Sequence, residues 1–193
     1  MKRFLTLLFL VVVFSLQAYA QNCGVHCGTE RWKVKTLTDS TVGNIDPAET
    51  TNSITQLRNK PRPDDLEDTM RADGAESKTY RVTGRVIRFK REDDKDIHVV
   101  LAQTGHLERT VVVEFANVVC ADVCSSPELE RIRQARQDFV TKFGNPTTSF
   151  KAPPHITKIR IVGVGFFDRL HGQNGMAPNG IEIHPVLSMT VVP

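Results

Sequence analysis

The sequence lacks the short motifs that mark several common classes of enzyme. It contains neither GxSxG nor HExxH, so neither a serine-hydrolase elbow nor a zincin-type metal site is indicated. It has no internal repeat and no low-complexity segment, which excludes repeat architectures. The single tryptophan, Trp32, is expected to fill the core of the N-terminal arm rather than to form a sugar-binding platform. Nucleophilic catalysis therefore has little support.

Long hydrophobic runs are absent except at the N-terminus. Residues 1–20, MKRFLTLLFLVVVFSLQAYA, have the order of a secretory signal peptide: basic residues, an apolar segment, and small residues before a cleavage site. The apolar segment is short and polar residues follow it, so we expect no permanent membrane span. A lipid anchor at Cys23 is disfavoured because the preceding residues do not form the small-residue box of such anchors. We expect cleavage after Ala20 and a periplasmic or extracellular location.

A strong charge of one sign is also missing. The whole chain carries 25 basic and 22 acidic residues, and without Lys2 and Arg3 the balance is 23 to 22. Six cations between Lys78 and Arg91 could follow a phosphate backbone, but four acids within residues 92–96 would repel it. No aromatic stacking platform is evident in the strands that follow. Nucleic acid is therefore a less favoured partner.

Four cysteines occur as two copies of one spacing, CGVHC (Cys23, Cys27) and CADVC (Cys120, Cys124). In an exported chain an even number of cysteines indicates disulfide bonds. Three pairings are possible, and we favour bonds between the two motifs, which would attach the N-terminal arm to the main domain. The alternative is a structural zinc site, because each spacing falls within the range of such sites.

The region after residue 78 predicts a mainly β domain with one helix. Alternation in YRVTGRVIRFK predicts a half-buried strand. Ser126 is predicted to cap the helix, with Pro127 in its first turn and Gly144 at its end. The last strand is interrupted by Pro185, which indicates an edge or a bulge. The predicted strands are Tyr80–Lys90, Ile97–Ala102, Thr110–Ala116, Ile156–Phe167 and Ile181–Val192.

Three strands, a helix and two strands are the order of an OB-like Greek-key barrel, which we assign to residues 79–193. A small antiparallel α+β sandwich is the rival fold. Residues 21–78 are predicted to form an irregular N-terminal extension. Within it, Glu30–Asp39 alternates like a strand, Ser53–Leu57 indicates a helical turn, and Asp64–Ser77 is expected to be an exposed connector.

An OB-like barrel would bring two polar loops together. Ligands of this fold usually meet the second and third strands and the loops between strands one and two and between strands four and five. Those loops are Arg91–Lys95 and Asp168–Gly180, and we expect them to flank one cleft. The candidate ligand-binding residues are Asp93, Asp94, Asp96, His98, Asp168, Arg169, His171, Gln173, Asn174, Asn179, Glu182 and His184.

A divalent metal is the alternative content of this cleft. Alternation places Asp96 and His98 on one face of a strand, and Glu182 and His184 on one face of another. Together with His171 they would suit a metal ion and a hydrolytic water. The competing interpretation is that charged residues alternating with apolar ones mark ordinary solvent-facing strands. The acids of residues 93–96 lack the spacing of a calcium loop.

Three stretches resemble a group of uncharacterised exported bacterial proteins. The stretches are ERWKVKTLTD, with an RW-VKT signature, YRVTGRVIRFKREDDKDIHVVLA, and GVGFFDRLHGQNGMAPNGIEIHPVLS, with a GFFD--HGQ-G-APN-IE-HPV signature. The resemblance covers most of the chain after the signal peptide. It implies one secreted OB-like domain with an N-terminal extension, and it carries over no catalytic residue.

These patterns favour a non-catalytic binding module whose ligand lies at the two loops. The ligand would be a small molecule, a glycan or an envelope protein, and no cofactor is expected. The alternatives are a metal-dependent hydrolase, acting for example on phosphodiesters, and a structural or interaction protein of the cell envelope.

Overall fold

The computed structural model describes residues 23–72 and 74–193, so the predicted signal peptide lies outside the described residues. A six-stranded sheet dominates the fold, which confirms the mainly β prediction. The strands are β1 Asp46–Asn52, β2 Lys78–Arg91, β3 Ile97–Gln103, β4 His106–Phe115, β5 Lys158–Phe167 and β6 Ile181–Val192. The helices are α1 Trp32–Lys35, α2 Ile54–Arg58, α3 Ala121–Cys124 and α4 Leu129–Phe143, with a 3₁₀ turn at Val42–Asn44.

The strands pair in the order β1-β2-β3-β4-β6-β5, and β2 also pairs with β5. The pairing path therefore returns to β2, although the strands are not spread evenly around one axis. Most neighbouring strands are antiparallel, whereas β4 and β6 are parallel, as are β1 and β2. The interior contains apolar side chains from β2 to β6, from α2 and from α4.

The bulge that Pro185 predicts is present, but the strand is not at an edge. The register between β5 and β6 shifts on either side of Gly163, opposite the segment that contains Pro185. β6 itself lies between β4 and β5. A β-carbon on Gly163 would lie 2.6 Å from the Pro185 carbonyl oxygen, so the two backbones approach closely at this bend.

Helix α4 covers one end of this core. Its buried side chains recur at helical spacing, and Phe139 contacts the rings of Phe89 and Phe115 at centroid distances of 5.1 and 4.8 Å. Gly144 ends the helix with a positive φ of 76°, as predicted. The predicted start is wrong: Ser126 is not the N-cap. Its hydroxyl accepts from the Glu128 amide at 3.3 Å, and the helix begins at Leu129.

The strand predicted for Glu30–Asp39 is also wrong. Trp32–Lys35 forms the short helix α1, and Arg31 and Leu37 on either side of it have positive φ values of 48° and 58°. Trp32 and Leu37 pack with Cys120, Val123 and other residues in a second apolar cluster outside the main core. Packing against this cluster, rather than local alternation, decides the conformation of the arm. The helical turn predicted at Ser53–Leu57 is confirmed as α2, with Ser53 in a capping box.

The segment Asp64–Ser77 is not simply an exposed connector, because two of its charged side chains are buried. Arg71 is 8 % exposed and Glu76 is fully buried. Glu76 pairs with the buried Arg31 through Nη1 at 2.5 Å and Nη2 at 2.9 Å, and it accepts from the Phe167 amide at 2.6 Å. Arg71 contacts Asp39 at 3.0 Å. Because these partners stabilise one another without water, the segment joins the arm to the end of β5.

Both disulfides connect the two cysteine motifs, which is the pairing that we favoured from the sequence. Cys23 pairs with Cys124 and Cys27 pairs with Cys120, so no cysteine thiol is left for the zinc alternative. The bridges hold the arm against α3. Across the described ranges 23–72 and 74–193, no helix combines the length and the apolar character needed to cross a bilayer.

Candidate functional site

One cavity of about 560 Å³ is lined by both predicted loops. Glu92, Asp93 and Asp94 come from the loop after β2, and Asp168, His171 and Gln173 come from the loop after β5. The two loops therefore meet at one cleft, as the sequence analysis predicted. A third wall was not foreseen: it is formed by the arm from Cys27 to Lys35.

The cavity is rich in carboxylates. Six carboxylate side chains line it, against two lysines, Lys35 and Lys90, and one histidine. The six are Glu30, Glu92, Asp93, Asp94, Glu114 and Asp168. The cavity therefore has an excess of negative charge.

His98 is fully buried behind the cavity wall, in contact with the lining residues Glu92 and Glu114. Its Nδ1 atom is 3.1 Å from Glu114 Oε1 and 3.2 Å from Glu92 Oε1, while Nε2 is 3.1 Å from the Asn174 carbonyl oxygen. Burial alone would lower the pKa of His98, but the hydrogen bond to Glu114 and the negative charge of Glu114 raise it. Three chain segments therefore meet at this ring: the end of β2, the β4 strand and the loop after β5.

His184 forms a second contact to Glu114, deeper in the protein. Its Nδ1 is 3.1 Å from Glu114 Oε2 and its Nε2 is 3.1 Å from Asp96 Oδ2, although neither contact has hydrogen-bond geometry. Burial opposes the charge of His184, but Asp96 and Glu114 outweigh it and raise the pKa to about 9. Burial alone would raise the pKa of Glu114, but the contacts with His184 and His98 hold this pKa well below its usual range. Glu114 is thus ionised between two histidines.

Asp168 and Glu182 are joined by Gln173, whose Nε2 lies 3.2 Å from Glu182 Oε1 and also donates to Asp168 Oδ2. His171 Nε2 is 3.0 Å from Asp168 Oδ2. Asp168 Oδ1 and Glu182 Oε2 are buried and have no hydrogen-bond partner. Burial raises the pKa of Glu182 well above its usual range, and the nearby charges of Glu114 and Asp168 add to this effect.

Lys35 balances part of this negative charge. Burial alone would lower its pKa, but the carboxylates of Glu114, Asp168 and Glu182 raise it above the usual lysine value. The ammonium also lies over the Phe166 ring, 5.5 Å from its centroid. Asp94 is affected in the opposite sense: burial, then Asp96 and Glu114, raise its pKa to about 6.

Three candidate residues have contacts that hold loops in place. Arg169 pairs with Glu30 at 2.7 Å and with Asp68 at 3.1 Å. The Asn179 amide donates to the carbonyl oxygens of Leu57 and Lys60 at 3.0 and 2.9 Å. The Asn174 side chain accepts from Arg88, and its carbonyl oxygen faces His98.

The five residues considered for a metal do not form one cluster. Asp96 and His184 share Glu114, His98 belongs with Glu92 and Glu114, and His171 belongs with Glu30 and Asp168; within each group the ligand atoms lie within 4.8 Å of one another. The interpretation of these strands as solvent-facing is wrong. Asp96, His98, Glu182 and His184 are fully buried because the arm and the loop after β5 cover this face of the sheet.

Glu114 and Lys35 are central residues that sequence reasoning missed. Glu114 was detectable, because it is the only charged residue in the apolar run TVVVEFA. A charge in a buried strand needs a partner, which would have pointed to the histidines. Lys35 gave no such signal, because its position depends on α1 replacing the predicted strand.

Comparison of this chain with models of protein families, with curated proteins and with solved structures found no match.

Proposed function

We propose that the protein is an exported, non-catalytic binding module that takes a positively charged ligand in the acidic cavity. The observation that carries this proposal is the excess of six carboxylates over two lysines in one cavity of about 560 Å³. That volume falls within the range of small-molecule sites, about 300–1,000 Å³. A cation would lower the electrostatic cost of holding these carboxylates together.

An unpaired oxygen atom supports the same conclusion. Asp168 lines the cavity with its side chain 2 % exposed, and its Oδ1 has no hydrogen-bond partner among the described residues. A buried carboxylate oxygen without a partner is costly, and a ligand that donates hydrogen bonds or carries positive charge would satisfy it.

The proposed architecture is an OB-like barrel of residues 79–193. Its support is the pairing path β2-β3-β4-β6-β5 back to β2, with α4 between β4 and β5. In such a barrel the ligand face includes β3 and β4, which here carry His98 and Glu114. Because this face is acidic and covered by the arm, it does not suit a phosphate backbone. The two disulfides are compatible with export.

Calorimetry with spermidine as the probe cation tests this function. The double variant Asp93→Asn/Asp94→Asn should weaken binding by about tenfold or more at pH 7.5, since each carboxylate contributes on the order of 1 kcal/mol. The matched control, Glu108→Gln/Glu130→Gln, removes two exposed carboxylates elsewhere and should bind as the unaltered protein does.

The proposal is refuted if neither spermidine nor Zn²⁺ binds, or if the cavity variant and the control weaken spermidine binding equally. Turnover of bis(p-nitrophenyl) phosphate that is abolished by a chelator would instead support the metal-dependent hydrolase. Raising the salt concentration should weaken spermidine binding, because the attraction is electrostatic.

A further inference from the structure

We infer that the inner end of the cavity is a divalent transition-metal site, with Glu92, His98 and Glu114 as its protein ligands. The inference rests on the proposed function, because it names the cation that the acidic cavity takes. His98 and Glu114 face each other on the paired strands β3 and β4, and Glu92 is the first residue after β2, so the sheet holds the ligands near one another. One imidazole and two carboxylates suit Zn²⁺ and related ions.

The spacing of the ligand atoms fits a tetrahedral ion. His98 Nδ1 lies 3.1 Å from Glu114 Oε1 and 3.2 Å from Glu92 Oε1. Ligands bonded at about 2.0 Å to a tetrahedral zinc ion are roughly 3.3 Å apart. The two observed distances are slightly shorter, so the ligand atoms would have to move apart a little to hold the ion.

The Nε2 atom of His98 already has a hydrogen-bond partner. Nε2 lies 3.1 Å from the Asn174 carbonyl oxygen, which can only accept a hydrogen bond, so Nε2 carries the proton. Nδ1 is the nitrogen that faces the two carboxylate oxygens, and it donates to Glu114 Oε1 when the ring is protonated. A metal ion would take the place of that proton among the three ligand atoms. A metal-binding histidine commonly donates its other N–H to a backbone carbonyl in this way.

Glu114 presents a different oxygen atom to each of the two histidines. Its side chain is 4 % exposed, Oε1 lies 3.1 Å from His98 Nδ1 and Oε2 lies 3.1 Å from His184 Nδ1, so Oε1 is directed at the proposed site. Glu92 is 25 % exposed and lines the cavity, so an ion has a route to the site from solvent. Water from the cavity would complete the coordination as a fourth ligand.

The other two groups are weaker candidates. Asp96, Glu114 and His184 are all buried, and of these only Glu114 lines the cavity. In the group of Glu30, Asp168 and His171, the Glu30 carboxylate is held by Arg169 at 2.7 Å. An ion there would have to break that pair. In the favoured group Lys90 also contacts Glu92, but through Oε2 at 2.8 Å, which leaves Oε1 facing His98.

The test is Zn²⁺ binding to the complete exported chain after removal of metals with a chelator. Calorimetry with Zn²⁺ alone should show one tight site, and Co²⁺ should give the visible absorption of a tetrahedral complex. His98→Gln should weaken Zn²⁺ binding by at least about 100-fold, more than the loss of an outer partner does. Glu92→Gln, at a partly exposed position that leaves the buried core unchanged, should weaken it by at least about tenfold.

His106→Gln, at an exposed histidine that does not line the cavity, is the matched control and should retain Zn²⁺ binding. His171→Gln tests the rival group of Glu30, Asp168 and His171. Spermidine binding without any Zn²⁺ binding would refute the metal site and leave the proposed function standing. Loss of Zn²⁺ binding in His171→Gln but not in His98→Gln would refute the ligand assignment.

Discussion

The two disulfides form a nested pair, so their contributions to stability should not add as independent terms. Cys23–Cys124 and Cys27–Cys120 close loops of sequence separation 101 and 93. Closing either loop alone lowers the entropy of the unfolded chain by an amount worth about 4.7 kcal/mol. Once one bridge exists, the other closes only the small ring of residues 23–27 and 120–124. By the same relation that step is worth about 2.7 kcal/mol.

Removing one bridge should therefore cost about 2.7 kcal/mol, and removing both should cost about 7 kcal/mol. The assay is urea unfolding of Cys23→Ala/Cys124→Ala, of Cys27→Ala/Cys120→Ala and of all four together. The first variant is the cleaner one, because Cys120 is fully buried and its truncation adds a packing loss. Unaltered protein in reductant gives the cost of losing both bridges without truncation.

The reasoning fails if each single removal costs as much as an isolated loop of this length and the two costs simply add. It also fails if full reduction costs no more than one bridge. Since native domains are stable by about 5–15 kcal/mol, the fully reduced protein should retain little stability.

Three further perturbations test other parts of the structure. Arg31→Ala leaves Glu76 buried without its partner and should lower the free energy of unfolding by about 3–5 kcal/mol. The control Arg169→Ala removes an exposed ion pair and should lower it by less than about 1 kcal/mol in the same urea assay. Gly163→Ala should lower stability by at least about 1–3 kcal/mol because its β-carbon meets backbone, whereas Gly43→Ala faces open space and should lack this steric cost. Because the pKa of Glu182 is raised, the folded state keeps a proton that the unfolded state loses, and the contribution of Glu182 to stability falls as pH rises above about 4.5. Glu182→Gln, unfolded in the presence of a chelator, should therefore gain stability relative to the unaltered protein as pH rises over that range. A difference in stability that stays constant with pH would contradict this.

Strand positions were predictable because they depend on strong local signals, whereas the meeting of the two loops followed from the assumed order of the strands. Alternation located β2, and an apolar run bounded by charged turns located β3. Gly144 marked the end of α4 for a local reason as well, since its positive φ favours glycine. The presence of disulfides, though not which cysteines pair, followed from the expected export and the even number of cysteines.

The arm and the electrostatics of the site were not predictable from local pattern. The alternation around Trp32 is compatible with a strand, and only packing against the cluster near Cys120 selects the helix. Arg31 and Glu76 are 45 residues apart, so no spacing rule connects them. His98 and His184 lie on opposite sides of Glu114. This arrangement depends on the register between the parallel strands β4 and β6, which cannot be read from the sequence.

The position of the arm has a consequence for when the protein becomes competent. Residues Cys27 to Lys35 complete the cavity, and cystines attach them to the rest of the molecule. In a reducing solution this covalent attachment would be missing, and the arm would be held by noncovalent contacts such as the buried Arg31–Glu76 pair. The third side of the pocket would then be fixed less firmly, so oxidation of the cysteines should strengthen the proposed cation binding.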